Sequence, residues 1–128
     1  MADELILVVD DNPINVKLLL LLLSDEGYDV RSASDAEQTR KTLTELTPAL
    51  ILMDVQLPET DGITLTRELR REPRFDATWV IALTAHAEPG DEAKVLAAGC
   101  DGYVTKPIDT ERLPRLLSAF LEKPRARL

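Results

Sequence analysis

Apolar residues along the chain fall into two kinds of run. Short blocks, LILVV (5–9), YDVRS (28–32), ALILM (49–53), WVIAL (79–83) and GYV (102–104), alternate with longer stretches in which apolar residues recur at helical spacing. Several blocks are apolar throughout rather than at every second position, the pattern of parallel strands covered on both faces. Five helices are predicted between and after them. The first opens at Asn12-Pro13, an N-cap followed by proline at the first helical position. The second begins at Ser34-Asp35-Ala36-Glu37, which reads as a capping box headed by Ser34. The third follows Gly62, with Pro73 just beyond its end. The fourth runs from near Asp91 to a terminating Gly99. The fifth spans about Asp109 to Glu122, which puts Pro114 at the end of the first turn and predicts a tight or kinked start.

Strict alternation of strand and helix implies one open α/β sheet with helices on both faces and right-handed crossovers. We expect the domain to occupy residues 4–122 and the basic segment 123–128 to be a frayed tail. In the leucine run, Val16, Leu19, Leu20 and Leu23 form a stripe able to face the sheet. Leu18, Leu21 and Leu22 fall on other faces. They either lie beneath neighbouring helices five and two or form an exposed apolar patch.

Composition narrows the functional classes. The chain has 128 residues, 45% hydrophobic and 30% charged, enough for one domain with a real core. Its net charge of −8 argues against non-specific nucleic-acid binding and against docking on anionic membrane. The single cysteine, Cys100, excludes an internal disulfide and a multi-cysteine metal site, and suits a small buried apolar position. Asp3 and Glu4 stand where a signal peptide carries basic residues, and the leucine run at 18–23 is too short to span a bilayer. A cytoplasmic protein is expected.

The chemistry gathers where the strands stop. Strand one ends at Asp10-Asp11, strand three at Asp54 and strand four at Thr84, and strand five is followed by Lys106. In an open parallel sheet these ends share one edge, where ligands bind. Two carboxylates about 5 Å apart repel by roughly 3 kcal/mol at an effective dielectric of 20. A cluster of three therefore either takes up protons or holds a cation. Oxygen ligands without histidine or cysteine suit Mg²⁺ or Mn²⁺. Such an ion often sits with phosphate oxygens, and Lys106 would neutralise them as a point charge.

The segments LVVDDN, ILMDVQLPETDG, ALTA and GYVTKPI, in that order and separation, resemble the signature blocks of response-regulator receiver domains, over residues 4–122. The resemblance implies a flavodoxin-like, doubly wound sheet of strand order 2-1-3-4-5. It implies that Asp54 accepts a phosphoryl group from a phosphohistidine on a kinase or phosphotransfer protein. Asp11, Asp54 and the backbone carbonyl of Gln56 would ligate Mg²⁺, with Asp10 acting through water or as a further ligand. Lys106 would contact the phosphoryl oxygens. Thr84 would swing toward them and Tyr103 would turn inward behind it, although Tyr103 also suits a plain core aromatic with its hydroxyl at the rim. The Lys106–Pro107 bond would be cis. Gln56 and His86 stand at positions that tune attack by water, while His86 also reads as an ordinary exposed loop histidine. Helix one would dock the donor's helical bundle, with Asn12, Pro13, Asn15, Leu18 and Leu22 as candidates. The output face would be helix four, strand five and helix five.

Other classes are weighed on the same residues. An aspartate-nucleophile phosphohydrolase uses acids, Lys, Thr and Mg²⁺ on a similar sheet. Its nucleophile follows the first strand with another aspartate two residues on, whereas here Asp10 is followed by Asp11 and Asn12. A receiver excised from a hybrid histidine kinase fits the blocks as well as a stand-alone regulator does, the initial Met slightly favouring the latter. A phosphorylation-independent scaffold is opposed by the complete acidic set with Lys106.

Overall fold

The five strand-forming blocks lie side by side because their side chains must be covered above and below. A computed structural model of the chain describes residues 4–57, 61–85 and 90–125. Strands β1 (Leu5–Val9), β2 (Asp29–Ala33), β3 (Leu50–Asp54), β4 (Trp79–Thr84) and β5 (Gly102–Thr105) alternate with helices α1 (Pro13–Asp25), α2 (Ala36–Glu45), α3 (Gly62–Arg70), α4 (Asp91–Ala98) and α5 (Arg112–Leu121). A 3-10 turn, Pro73–Phe75, follows α3. The sheet is parallel throughout, in the order β2-β1-β3-β4-β5.

Successive residues of a strand point to opposite faces, so β1, β3 and β4 feed two cores. Leu7, Val9, Ile51, Met53, Val80 and Ala82 pack with Leu43, Leu65, Leu69 and Val95 of α2, α3 and α4. Ile6, Val8, Leu50, Leu52, Ile81 and Leu83 pack with Leu19, Leu23, Leu113 and Leu117 of α1 and α5. Both sets are buried, which is why these strands read as continuous apolar runs. Edge strand β2 buries only Ala33 fully.

Local chemistry sets the helix ends, in places differently from the sequence pattern. Asn12 caps α1 as expected, its side-chain oxygen accepting from the N–H groups of Ile14 and Asn15. The cap of α2 is Asp35 rather than Ser34. Asp35 accepts from the Gln38 N–H at 2.8 Å, while the Gln38 side-chain oxygen accepts from the Ser34 N–H at 3.0 Å, so the reciprocal box is displaced by one residue. Helix α5 begins at Arg112, not Asp109. The Asp109 carboxylate accepts from the N–H groups of Glu111 and Arg112 ahead of the helix. Pro114 is then the third helical residue; the Leu113 N–H before it already donates to the Asp109 carbonyl at 3.0 Å, so the absent N–H of Pro114 interrupts the first turn, as its place in the sequence predicts.

The leucine-rich helix splits its faces. Leu19 and Leu23 are buried, and Val16 and Leu20 are half-buried. Leu22 packs against the α1/α5 core, so it does not share an exposed patch with Leu18. Ile14 (77% exposed), Leu18 (36%) and Leu21 (65%) instead make an outward stripe. After α5 the Arg125 guanidinium donates to Asp101 and to the Asp76 carbonyl. Among the described residues no helix is long and apolar enough to cross a membrane.

Candidate functional site

The chain leaves β1 for β2 on one side and returns to β3 on the other. The crevice between the ends of β1 and β3 is thus the point where the strand order reverses. Val9 and Met53 are register partners there, so the residues that follow, Asp10 and Asp54, emerge side by side. Asp10 is fully buried and Asp54 is 2% exposed, while Asp11 is exposed. Oxygens of all three carboxylates lie within 4.8 Å of one another.

Backbone N–H groups hold both buried acids in place. Oδ1 of Asp10 accepts from the Asn12 N–H at 2.9 Å, and Oδ1 of Asp54 accepts from the Gln56 N–H at 2.9 Å. The Lys106 ammonium spans the pair, 3.2 Å from Oδ2 of Asp54 and 3.4 Å from Oδ2 of Asp10. At the longer distance Oδ2 of Asp10 gains an ion pair but no hydrogen bond, and it is the buried side-chain polar atom left without one among the described residues. Lys106 is itself fixed by its N–H, which donates to the Thr84 carbonyl at 2.8 Å. The Lys106–Pro107 bond is cis, as expected.

Gly62 supports the site from beneath. Its N–H donates to the Val55 carbonyl at 3.0 Å. A Cβ at this position would stand 2.1 Å from the Asp54 carbonyl oxygen, so only glycine lets α3 start this close to the acid.

Three carboxylates face one ammonium, and the imbalance is visible on Asp54. Burial pushes its carboxyl from 3.8 up to about 6; the Gln56 N–H pulls it back, the Asp10 charge raises it further and Lys106 lowers it. A buried oxygen held by an ion pair but no hydrogen bond, beside two more carboxylates, is the donor set of a hard divalent cation. The residues present therefore fit Mg²⁺ or Mn²⁺.

The other expected residues surround this centre. Thr84 ends β4 and is buried. Tyr103 is half-buried against the α2–α4 core and also borders a groove of about 870 Å³ along β5 and α5, with Arg112, Arg115 and Leu116. Gln56 is exposed at the rim. Asn12 and Pro13 are exposed and Asn15 half-buried at the start of α1. A cleft of about 350 Å³ runs from Asp10 and Asp11 past Pro13 and Lys17 to Gln38, a border the sequence pattern did not disclose. Ile14 and Leu21 were likewise not separable from the other apolar residues of α1 by spacing alone. His86 and Pro58–Thr60 lie outside the described residues.

Comparison with known proteins agrees with the geometry. Residues 6–118 match the family model of the response regulator receiver domain. The chain is 41% identical over 115 residues to the signal transduction histidine-protein kinase BarA of Escherichia coli, covering 90% of this chain but 12% of BarA. It is 34% identical over 116 residues to the polar-differentiation response regulator DivK of Brucella anthropi, covering 91% of this chain and 94% of DivK. Among solved structures, the receiver domain of the sensor histidine kinase PA1611 from Pseudomonas aeruginosa is similar at a TM-score of 0.86 and 35% identity, over 94% of this chain and 99% of that one. That structure holds a magnesium ion in its active-site cleft.

Proposed function

The chain belongs to the response-regulator receiver family of two-component signalling, and from that premise we propose that Asp54 accepts a phosphoryl group from a phosphohistidine of a kinase or phosphotransfer protein. The phosphorus–nitrogen bond of the donor breaks, an oxygen–phosphorus bond to the Asp54 carboxylate forms, and the imidazole leaves with the electron pair. The observation that carries this reading is the Lys106 ammonium placed against the oxygens of Asp54 and Asp10. Phosphoryl transfer passes through a loose transition state, so alignment and charge neutralisation supply most of the catalysis. The Gln56 N–H orients Asp54, and Lys106 sits where the phosphoryl oxygens gather charge. A magnesium or manganese ion held by Asp11, Asp54 and the Gln56 carbonyl, with Asp10 as ligand or through water, would neutralise charge and orient the transferred group.

The added phosphate charge then acts as the switch. Thr84 and Tyr103 are its responders, and the face made by α4, β5 and α5 is its output. His86 and Gln56 would set the lifetime of the product. The domain serves alike as a short regulator resembling DivK or as the receiver segment of a kinase resembling BarA. Its single cysteine suits the reducing cytoplasm. The phosphohydrolase alternative is not favoured, because the matching family is the receiver domain and Asp10-Asp11-Asn12 lacks the spacing of that nucleophile pair.

Acetyl phosphate with Mg²⁺ should label the chain once, at Asp54, by intact-mass measurement. Asp54→Asn should abolish the label, and Lys106→Met should slow it about a hundredfold. Labelling that persists in Asp54→Asn, or steady turnover of a phosphate monoester, would overturn the assignment. The exposed stripe Ile14, Leu18 and Leu21 of α1 is the docking surface we assign to the donor. Ile14→Glu with Leu18→Glu should slow transfer from a phosphohistidine donor at least about tenfold, with acetyl phosphate as the donor-independent control. Equal rates in the parent and the double variant would remove α1 from the docking surface.

A further inference from the structure

The segment that follows α5 is held to the sheet by several distinct contacts at the end away from the acids. Phe120, near the end of α5, packs its ring on Trp79 at 5.1 Å between centroids. The Trp79 indole N–H donates to the Lys123 carbonyl at 3.3 Å. Nε of Arg125 donates to both carboxylate oxygens of Asp101, at 2.9 and 3.0 Å, and its guanidinium also donates to the Asp76 carbonyl at 2.6 Å. The Arg125 and Asp101 side chains are only 12% and 14% exposed, so this is not a loose surface pair.

Asp101 does not depend on Arg125. It also accepts from Arg70 at 2.9 Å and from the Val80 N–H at 2.9 Å. Arg70 is bound in turn to the carbonyls of Gly99, Phe75 and Thr78. Two guanidinium groups thus meet one carboxylate. The Arg70 pair belongs to the body of the fold, and the Arg125 pair can open while Oδ2 of Asp101 keeps Arg70 and the Val80 N–H and Oδ1 turns to water. That asymmetry is what a releasable contact needs.

Asp101 immediately precedes β5, a strand of four residues, and Lys106 immediately follows it. The strand is pinned at both ends, to the Arg70/Arg125 pair at one and to Asp10 and Asp54 at the other. Gly102 lies so close to Phe120 that an added Cβ would stand 3.2 Å from the ring. A shift of β5 that carries Tyr103 or Lys106 must therefore be absorbed at Phe120 and Asp101. We propose that residues 120–125 form a releasable clasp on Trp79 and Asp101 that holds β5 in its resting position, and that the clasp opens when a phosphoryl group occupies the acidic site.

This coupling rests on the reading of Asp54 as phosphoacceptor, and the test separates the two. Trp79 is the sole tryptophan, so its fluorescence reports the clasp. In the resting protein Arg125→Gln should red-shift the emission and increase quenching by acrylamide, and Arg125→Lys should restore part of the protection. In the parent, Mg²⁺ with beryllofluoride should move Trp79 the same way, and Asp54→Asn should prevent it. By reciprocity of coupling, Arg125→Gln should bind beryllofluoride about fivefold more tightly. Unchanged Trp79 quenching in Arg125→Gln means there is no clasp. Beryllofluoride bound by fluorine NMR with Trp79 unmoved, or bound equally tightly by Arg125→Gln, means the clasp is not coupled to the site. No bound beryllofluoride in the parent defeats the phosphoacceptor reading and the coupling with it, while the Arg125→Gln comparison in resting protein still decides whether the clasp exists.

Discussion

Asp54→Asn is expected to make the metal-free protein more stable by about 2–3 kcal/mol near pH 7.5, while it removes the phosphoacceptor. The folded-state carboxyl titrates at about 6 against an ordinary 3.8, and each unit of difference is worth about 1.4 kcal/mol. The sign follows from proton uptake. Well below 3.8 the acid is protonated in folded and unfolded chains alike, and the native state bears no charge penalty from it. Between about 4 and 6 the unfolded chain releases its proton while the folded one keeps it, so stability falls as pH rises. Above 6 the full penalty of a buried charge remains. Asparagine has no proton to lose, so the gap between variant and parent should open from near zero at about pH 3 to its full size above about 6.5. Acids that do not touch Asp54 titrate alike in both proteins and cancel in the difference. Urea unfolding in EDTA across this range measures it. A variant that is equally stable or less stable at pH 7.5 would refute the burial argument. Adding Mg²⁺ should narrow the gap, because an ion bound only by the folded parent stabilises it by mass action.

Arg70→Ala is expected to destabilise the fold by about 3 kcal/mol, the cost of breaking a largely buried pair. The guanidinium joins the end of α3 to the Gly99 carbonyl beyond α4, to Phe75 and Thr78 before β4, and to Asp101 before β5. Its planar fork is what allows a single side chain to meet four acceptors on two separate segments. Alanine takes the donor from the Gly99 and Thr78 carbonyls, although the Phe75 carbonyl keeps the Thr78 N–H and Asp101 retains Arg125. Arg70→Lys keeps the charge but not the fork, and should lose about half as much. Chemical unfolding of both variants provides the check. A loss in the alanine variant below about 1 kcal/mol would place Arg70 among ordinary surface pairs.

The acidic site was legible in the sequence because its members stand at abrupt ends of apolar runs. Asp10, Asp54, Thr84 and Lys106 share no local motif, but each marks where a buried strand meets solvent, and parallel strands bring such points together. The two-faced core was legible for the same reason. The Arg70–Asp101–Arg125 set was not. Its partners stand 31 and 24 positions apart, among 15 basic and 23 acidic residues with no spacing to single them out. The leucine run defeats periodicity in another way, since a helix apolar on most sides does not say which side its neighbours will cover. Partial burial of Leu22 and exposure of Leu21 are decided by the sheet and by α5. At α2, Ser34 and Asp35 are both competent caps, and the choice falls to Asp35 because Gln38 can then satisfy Ser34 as well.

The sheet has two open flanks, and each discourages strand addition from a neighbouring molecule in its own way. On β2 the outward residues are polar, and Arg31 and Asp29 pair along the strand at 3.1 Å, so an incoming strand would have to strip water from charges. On the far side, β5 offers only four residues, too short a template for a stable ladder. Concentrated solutions of the chain should therefore resist ribbon-like aggregation, and self-association, where it occurs, should proceed through helical surfaces rather than by extending the sheet.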